Sequence, residues 1–334
     1  MKPLSLIRHL NVRRLCHGLA LGVTFVTWLF LASPARASDG DSASLAASVP
    51  IADVHMHLYR GLTPDELRAA MDRNNVRWGG GVGPVGPGYD PLEFSKVLGP
   101  RYFPAGAQAQ QFVMFQAGGA NELASADSPR FKALMEQLAG QFERKEISGV
   151  GELVLNNHRS SAMPGFARKV RIDAESLQAM YALAQKHQGY VQLHMDDDPD
   201  SIEQIESMAR RYPDVPFILS HCMTRASAPA ARAVLERHAN LYCETSYRST
   251  ARNGAPGLRP YMIHTADSAD SAWLAVIEAL PERFMVGSDI YTKDVSYDAV
   301  IAAIRSGLLA RLTPATLKKV AYENAQRVFR LSQP

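Results

Sequence analysis

Two histidines one residue apart, His55 and His57, end the apolar run in "PIADVHMHLYR" (residues 50–60). Along a strand, residues two apart point to the same face, so the two imidazoles aim together. Convergent imidazoles suit a divalent metal such as Zn²⁺, each ring offering a neutral nitrogen. Alone, the pair reads equally well as two surface or hydrogen-bonded histidines. Four other apolar runs break or end on a polar group in the same way: Glu152 in "GELVL", His194 in "VQLHMD", His221 in "ILSHC" and Asp289 in "VGSDI". A carboxylate or imidazole buried in such a run is costly unless it is paired or bound to metal. Five runs of this kind point to one shared site.

Gathering those residues needs a scaffold that brings many strand ends together. From Pro50 onward eight β-rich runs occur: "IADVHMH", "VRWGGGV", "YFPAGAQ", "GVGELVL", "YVQLHMD", "PFILSHC", "NLYCETS" and "RFMVGSD". Amphipathic stretches such as "TPDELRAAMDRNN", "RFKALMEQLAGQFERK" and "SIEQIESMARRY" lie between them, and Thr313-Pro314 reads as the N-cap and first position of a closing helix. This alternation predicts an α/β fold, a (β/α)₈ TIM barrel with its site at the C-terminal ends of the strands. The rival, an open doubly wound sheet, is weakened because no G-x-G-x-x-G follows the first strand. Spacing agrees with the barrel. His57 to Glu152 is 95 positions, Glu152 to His194 is 42, His194 to His221 is 27, and His221 to Asp289 is 68. At about 30 residues or a little more per strand–helix unit, the polar groups fall on strands 1, 4, 5, 6 and 8. The glycine-rich "GGGVGPVGPGYDP" (79–91) lacks the G-K-[ST] ending of a phosphate loop and is expected to be a mobile loop over the barrel mouth.

The chain has 334 residues, 46% of them hydrophobic and 21% charged, which excludes disordered, collagen-like and coiled-coil classes. Its first 37 residues read as a cleaved signal peptide. They hold a basic head (Lys2, Arg8, Arg13, Arg14), the apolar run "LALGVTFVTWLFLA", and "SPARAS" with small residues at Ala35 and Ala37. An uncleaved membrane anchor is the alternative, for which the run is short. The expected organisation is a signal peptide at 1–37, a flexible segment at 38–49 and one barrel domain at 50–334, in a secreted or periplasmic protein. The leader carries five of the 36 basic residues and no acid, so the mature chain holds 31 bases against 33 acids. No basic patch suggests nucleic acid. The partners expected are a small-molecule substrate and, at most, a second copy of the chain in a homodimer, with no membrane after cleavage. Cys16 leaves with the leader; Cys222 and Cys243 are expected to be buried thiols, with a disulfide as the alternative.

H-x-H on strand 1, a carboxylate on strand 4, histidines on strands 5 and 6 and aspartate on strand 8 resemble the metal-dependent amidohydrolase superfamily. "RRYPDVPFILSHC" and "YENAQRVFRL" are similar to its amidohydrolase-related (amidohydrolase 2) branch, which includes hydrolases and some decarboxylases. The resemblance covers roughly residues 50–331. It implies that His55, His57 and Asp289 hold one metal, that His194 and His221 complete a second, and that Glu152 is shared. Glu152 stands where other branches carry a carboxylated lysine. Where the branch often has His-x-Gly, this chain has His221-Cys222-Met223.

The activity implied is hydrolysis of a C–N or C–O bond (amide, lactone or ester) in a small substrate. One or two divalent ions, Zn²⁺ foremost, would generate hydroxide, with Asp289 as general acid/base and His221 as a catalytic partner. A mononuclear decarboxylase of an aromatic acid is the alternative, and a non-catalytic metal-binding barrel a third. Arg60, Asn156, Arg159 and Arg248 follow strands and are candidate substrate-binding residues. His158 and His264 lie in strand–helix loops within reach of substrate; His187 and His238 read as helix ends.

Overall fold

The computed structural model describes residues 39–161, 164–250 and 261–333. The leader at 1–37, Cys16 and residues 251–260 lie outside them. Nine strand segments follow one another: β1 (Ile51–Asp53), β2 (Val76–Gly80), β3 (Tyr102–Phe103), β4 (Ala105–Ala107), β5 (Gly149–Asn156), β6 (Tyr190–Met195), β7 (Phe217–Ser220), β8 (Leu241–Glu244) and β9 (Phe284–Met285). Neighbours pair in parallel, in the orders β1-β2-β3 and β4-β5-β6-β7-β8-β9. β3 and β4 are the single third strand of the sequence pattern, interrupted at Pro104, which has no N–H to give to a ladder. Phe103 pairs toward β2, while Ala105 pairs toward β5. Beyond β1 and β9 the chain keeps pairing: Val54 N donates to Val286 O (3.1 Å), Asp289 N donates to His55 O (2.8 Å), and Met56 lies opposite Ile290. The strands form the (β/α)₈ barrel that the sequence predicts.

The strand runs are almost continuously apolar because the sheet is covered on both faces. Side chains near the strand starts, among them Ala52, Trp78, Phe103, Tyr190, Ile218 and Tyr242, cluster with Val328 and Phe329 of the C-terminal helix. The Phe329 ring lies 5.0 Å from Phe103 and 4.5 Å from Tyr190. This packing stoppers the end away from the polar strand termini and leaves that other end for chemistry.

Helices begin where the residue signals put them. Thr63 and Glu66 form a reciprocal capping box ahead of Pro64–Arg73, and Ser128, Ser227 and Ser296 cap later helices. The last helix starts at Pro314 as expected, yet the Thr313 hydroxyl bonds to Glu278 (2.9 Å) rather than to helix backbone.

Three expectations need correction. Residues Asp39–Ser48, expected to be flexible, form helix α1. Ala46 is buried, and Arg305 Nη1 donates to the carbonyls of Ala46 (2.6 Å) and Val49 (2.9 Å) at the end of this helix. The stretch containing "MFQAGGANELA", whose glycines suggest a substrate-shaping loop in the sequence, is instead helix Gln108–Ala124, with a kink at Gly119 (φ 64°). The glycine-rich segment is held over its first half: Gly79 and Gly80 belong to β2, and Gly81 to Pro84 are buried. At Gly81 (φ 83°) a Cβ would meet Val54 O at 2.0 Å, so only glycine fits.

Candidate metal centre

His55 and His57 follow β1 on the extension that pairs with the chain beyond β9. Both are buried, and their Nε2 atoms are 3.0 Å apart. Asp289 Oδ1 lies 3.3 Å from His57 Nε2 and 3.5 Å from His55 Nε2. Glu152, within β5, sets Oε2 3.5 Å from His55 Nε2 and Oε1 3.4 Å from His221 Nε2. His221, just past β7, stacks on His55 with ring centroids 4.9 Å apart. His194, in β6, approaches Glu152 Oε1 with Nδ1 (3.2 Å) while Nε2 meets Thr224 Oγ1 (3.1 Å). The barrel thus brings all six sequence-predicted donors to one end of the sheet. Among the described residues, two three-residue groups have donor atoms within 4.8 Å of one another, His55/Glu152/His221 and His55/His57/Asp289. They share His55, and His194 stands outside both.

The far side of each ring fixes its tautomer. His57 Nδ1 donates to Gly83 O (3.1 Å), and His221 Nδ1 faces Ser246 O (3.2 Å) and Oγ (2.9 Å). His55 Nδ1 meets Glu244 Oε1 at 2.9 Å. With Nδ1 carrying the proton, all three Nε2 lone pairs converge, the arrangement in which a carboxylate or carbonyl orients a metal-bound imidazole. Glu244 was not among the sequence-predicted residues. It also accepts from His221 N (2.7 Å) and Ser246 N (2.7 Å), tying the ends of β7 and β8 to His55. Its signal was present in "NLYCETS", a carboxylate ending an apolar run like the others.

Electrostatics point the same way. Burial would push the Glu152 carboxyl up, but the charge of His55 and the imidazoles of His194 and His221 around it hold it well below the usual carboxylate range. Glu244 is held low against burial chiefly by His55 and His221. For His55, burial disfavours charge, yet Glu152, Glu244 and Asp289 outweigh it and hold the imidazole well above its ordinary value. Two nitrogen lone pairs 3.0 Å apart repel unless a proton or a cation lies between them. The positive charge that three carboxylates draw to His55 is the charge a divalent ion would supply, and imidazole nitrogens with carboxylate oxygens are the donors Zn²⁺ takes. The residues fit such an ion.

The turn carrying His221 is unusual. His221, Cys222 and Met223 all have positive φ (55°, 52° and 59°), so Met223 adopts the left-handed conformation at the position where the resembled branch often has glycine. Cys222 is joined to Cys243 in a disulfide, which corrects the expectation of two free thiols. Cys243 pairs in register with Leu219 on the adjacent strand, and the tight turn returns Cys222 to within 4.6 Å of it, Cα to Cα. Arg248 braces the same turn: its guanidinium donates to the carbonyls of Tyr261 (2.6 Å), Ala226 (2.8 Å), His221 (3.4 Å) and Cys222 (3.4 Å).

That employment corrects the sequence expectation for Arg248, whose donors are spent on backbone rather than turned to a substrate. Asn156 is fully buried and bonds to Asp198 (2.6 Å), Ser201 (2.6 Å) and His158 (2.6 Å), a structural role that also absorbs His158. Arg159 is paired with Asp197 (2.9 Å) and Asp198 (3.3 Å). Arg60 is exposed in the turn after His57. His264 is buried with Nδ1 on Thr265 O (2.9 Å), His187 lies on Phe142 with centroids 5.0 Å apart, and His238 closes helix Ala228–Arg237. A cavity of about 650 Å³ lies between the glycine-rich segment and helices Gln108–Ala124 and Pro129–Glu143, but none of its lining residues is a metal donor. The groups that could hold a metal ion lie in the histidine–carboxylate cluster.

Barrel and cluster together define a member of a metal-site enzyme class. Residues 52–331 match the amidohydrolase family (Amidohydro_2), and the chain belongs to that family. Among curated proteins, none matches the chain by sequence. Among solved structures it is similar to an amidohydrolase from Burkholderia multivorans with bound HEPES (16% identity, 85% of this chain and 100% of that one, TM-score 0.53). It is also similar to a probable 2-pyrone-4,6-dicarboxylic acid hydrolase from Acinetobacter baumannii with citric acid bound (13% identity, 84% and 100%, TM-score 0.52). A third, at TM-score 0.46, is 2,6-dihydroxybenzoate decarboxylase from Rhizobium (14% identity, 86% and 95%). At these identities the likeness is one of fold.

Proposed function

We propose that this protein is a metal-dependent hydrolase of C–N or C–O bonds in a small substrate. The observation that carries the reading is the buried convergence of the His55, His57 and His221 Nε2 atoms with the Glu152 and Asp289 carboxylates. A divalent ion held there, Zn²⁺ by its donor set, would activate water and polarise the scissile carbonyl. Asp289, a member of this cluster, would take the proton of the attacking water and pass it to the leaving group. His221, locked by Ser246 and Glu244, holds its Nε2 toward the reacting region. Glu244 keeps the proton of His55 on Nδ1 and so keeps Nε2 free. Export from the cytosol belongs to this proposal, supported by the basic-apolar-AxA leader and by the Cys222–Cys243 disulfide.

Elemental mass spectrometry of the purified protein beside the His55→Ala/His57→Ala variant is the test. Bound metal lost in the variant, together with turnover on a panel of amides, lactones and esters, supports the proposal. Asp289→Asn should then keep its metal and lose turnover. No metal after refilling with Zn²⁺ or Mn²⁺ rejects it. One observation favours a second reading: both donor groups share His55 Nε2, which suits a single ion. One ion per chain with CO₂ release from aromatic acids, and no hydrolysis, would make this protein a decarboxylase.

A further inference from the structure

Beside the metal centre lies a buried arginine with almost nothing to hold. Arg168 is 7% exposed. It sits on a segment pinned antiparallel to the end of β5: Arg168 N donates to Asn157 Oδ1 (2.8 Å), Asn157 N donates to Arg168 O (3.1 Å), and Lys169 bridges Asn156. The strand that delivers Glu152 therefore also places Arg168. Its guanidinium lies 4.1 Å above the Phe115 ring. Among the described residues it makes one hydrogen bond, a long one from Nε to Phe166 O (3.5 Å). Five donors are built into that group, and this one long bond leaves most of them without an acceptor from the protein. Burial lowers its pKa to about 10 and the charge of Glu152 counters part of that, so the group is cationic at neutral pH.

A second orphan stands on the helix beneath it. Gln108, Gln111 and Phe115 share one face of helix Gln108–Ala124 by their spacing of three and four. Gln108 Oε1 accepts from Glu152 N (3.2 Å), and Phe115 carries Arg168. Between them Gln111 is 2% exposed, and both Nε2 and Oε1 are buried without a hydrogen-bond partner. Phe112 and Phe166 stack nearby with centroids 5.9 Å apart, and Phe166 is 39% exposed.

We infer that Arg168 and Gln111 form a clamp for a carboxylate of the substrate, set beside Glu152 so that the acid's body reaches the metal centre. A carboxylate offers the planar pair of acceptors that a guanidinium fork matches and a further lone pair for an amide N–H. The inference rests on the metalloenzyme reading and adds the substrate's class: an organic acid, with the Phe112–Phe166 pair suited to an apolar ring.

Calorimetric titration of the metal-loaded protein with benzoate, and in parallel with its neutral counterpart benzamide, tests this. Benzoate should bind about tenfold to a hundredfold tighter. Arg168→Met should abolish that preference at unchanged metal content, and Arg168→Lys, which keeps charge but loses the fork, should retain a weaker one. Equal binding of the two probes, or a preference that survives Arg168→Met, overturns the clamp. So does loss of metal in Arg168→Met, which would make Arg168 a support for Glu152. Wild-type protein that holds no metal sinks the metalloenzyme reading instead, and the benzoate preference measured on that same sample still decides the clamp.

Discussion

Arg168 and Arg248 are both buried arginines lying on an aromatic ring, Phe115 at 4.1 Å and Trp273 at 4.6 Å. Burial lowers both, to about 10 and about 9. They differ in what they hold. Arg248 meets four backbone carbonyls and braces the left-handed turn behind His221; Arg168 meets one, at the limit of a hydrogen bond. Burial of a cation is therefore no sign of function by itself. A guanidinium whose donors are satisfied is part of the frame, and one left with a single long hydrogen bond is available to a ligand. The histidines repeat the contrast. His55 is buried among three carboxylates and pushed up, whereas His264 is buried with only a backbone carbonyl and pushed down to about 4.

The largest effect expected from this contrast is on folding. Arg248→Met strands several buried carbonyls and should lower the unfolding free energy by about 4 kcal/mol in urea denaturation. Next comes the ion: chelation should lower stability by about 3 kcal/mol if the metal had been present at roughly a hundred times its Kd. The His55→Ala/His57→Ala variant should not respond to chelator, and an equal response there would remove the histidine pair from the centre.

A smaller effect follows from His264. Its folded pKa lies below the ordinary 6.5, so the folded state favours the neutral ring. That stability is complete above pH 6.5 and is lost as pH falls toward 4, amounting to about 2 kcal/mol between pH 6.5 and 5. His264→Asn, measured against wild type in metal-loaded protein, should flatten that slope; identical slopes would show that the ring is not held neutral. The smallest effect is the sharpest for the comparison. Arg168→Met should change stability by about 1 kcal/mol or less, and a cost matching that of Arg248→Met would erase the distinction between the two arginines.

Much of this was legible along the chain. Apolar runs ending in His, Glu or Asp announced both strands and site, because a barrel strand buried on both faces tolerates such a residue only where strand ends meet a ligand or each other. H-x-H, Glu152, His194, His221 and Asp289 were readable for that reason, and Glu244 could have been read by the same rule. The loop arginines misled, since Arg159 and Arg248 look alike in sequence and differ only in what surrounds them: two aspartates for one, a ring of carbonyls for the other.

By itself, then, the sequence determined the barrel, the family and the strand ends that carry donors, because periodicity and spacing are local properties of the chain. Tertiary structure alone decided that Cys222 reaches Cys243, that Met223 takes a glycine's conformation, that Arg168 keeps one long hydrogen bond and that the Gln111 amide has none. Those outcomes depend on which acceptors arrive from residues far away in sequence, and no local pattern records them.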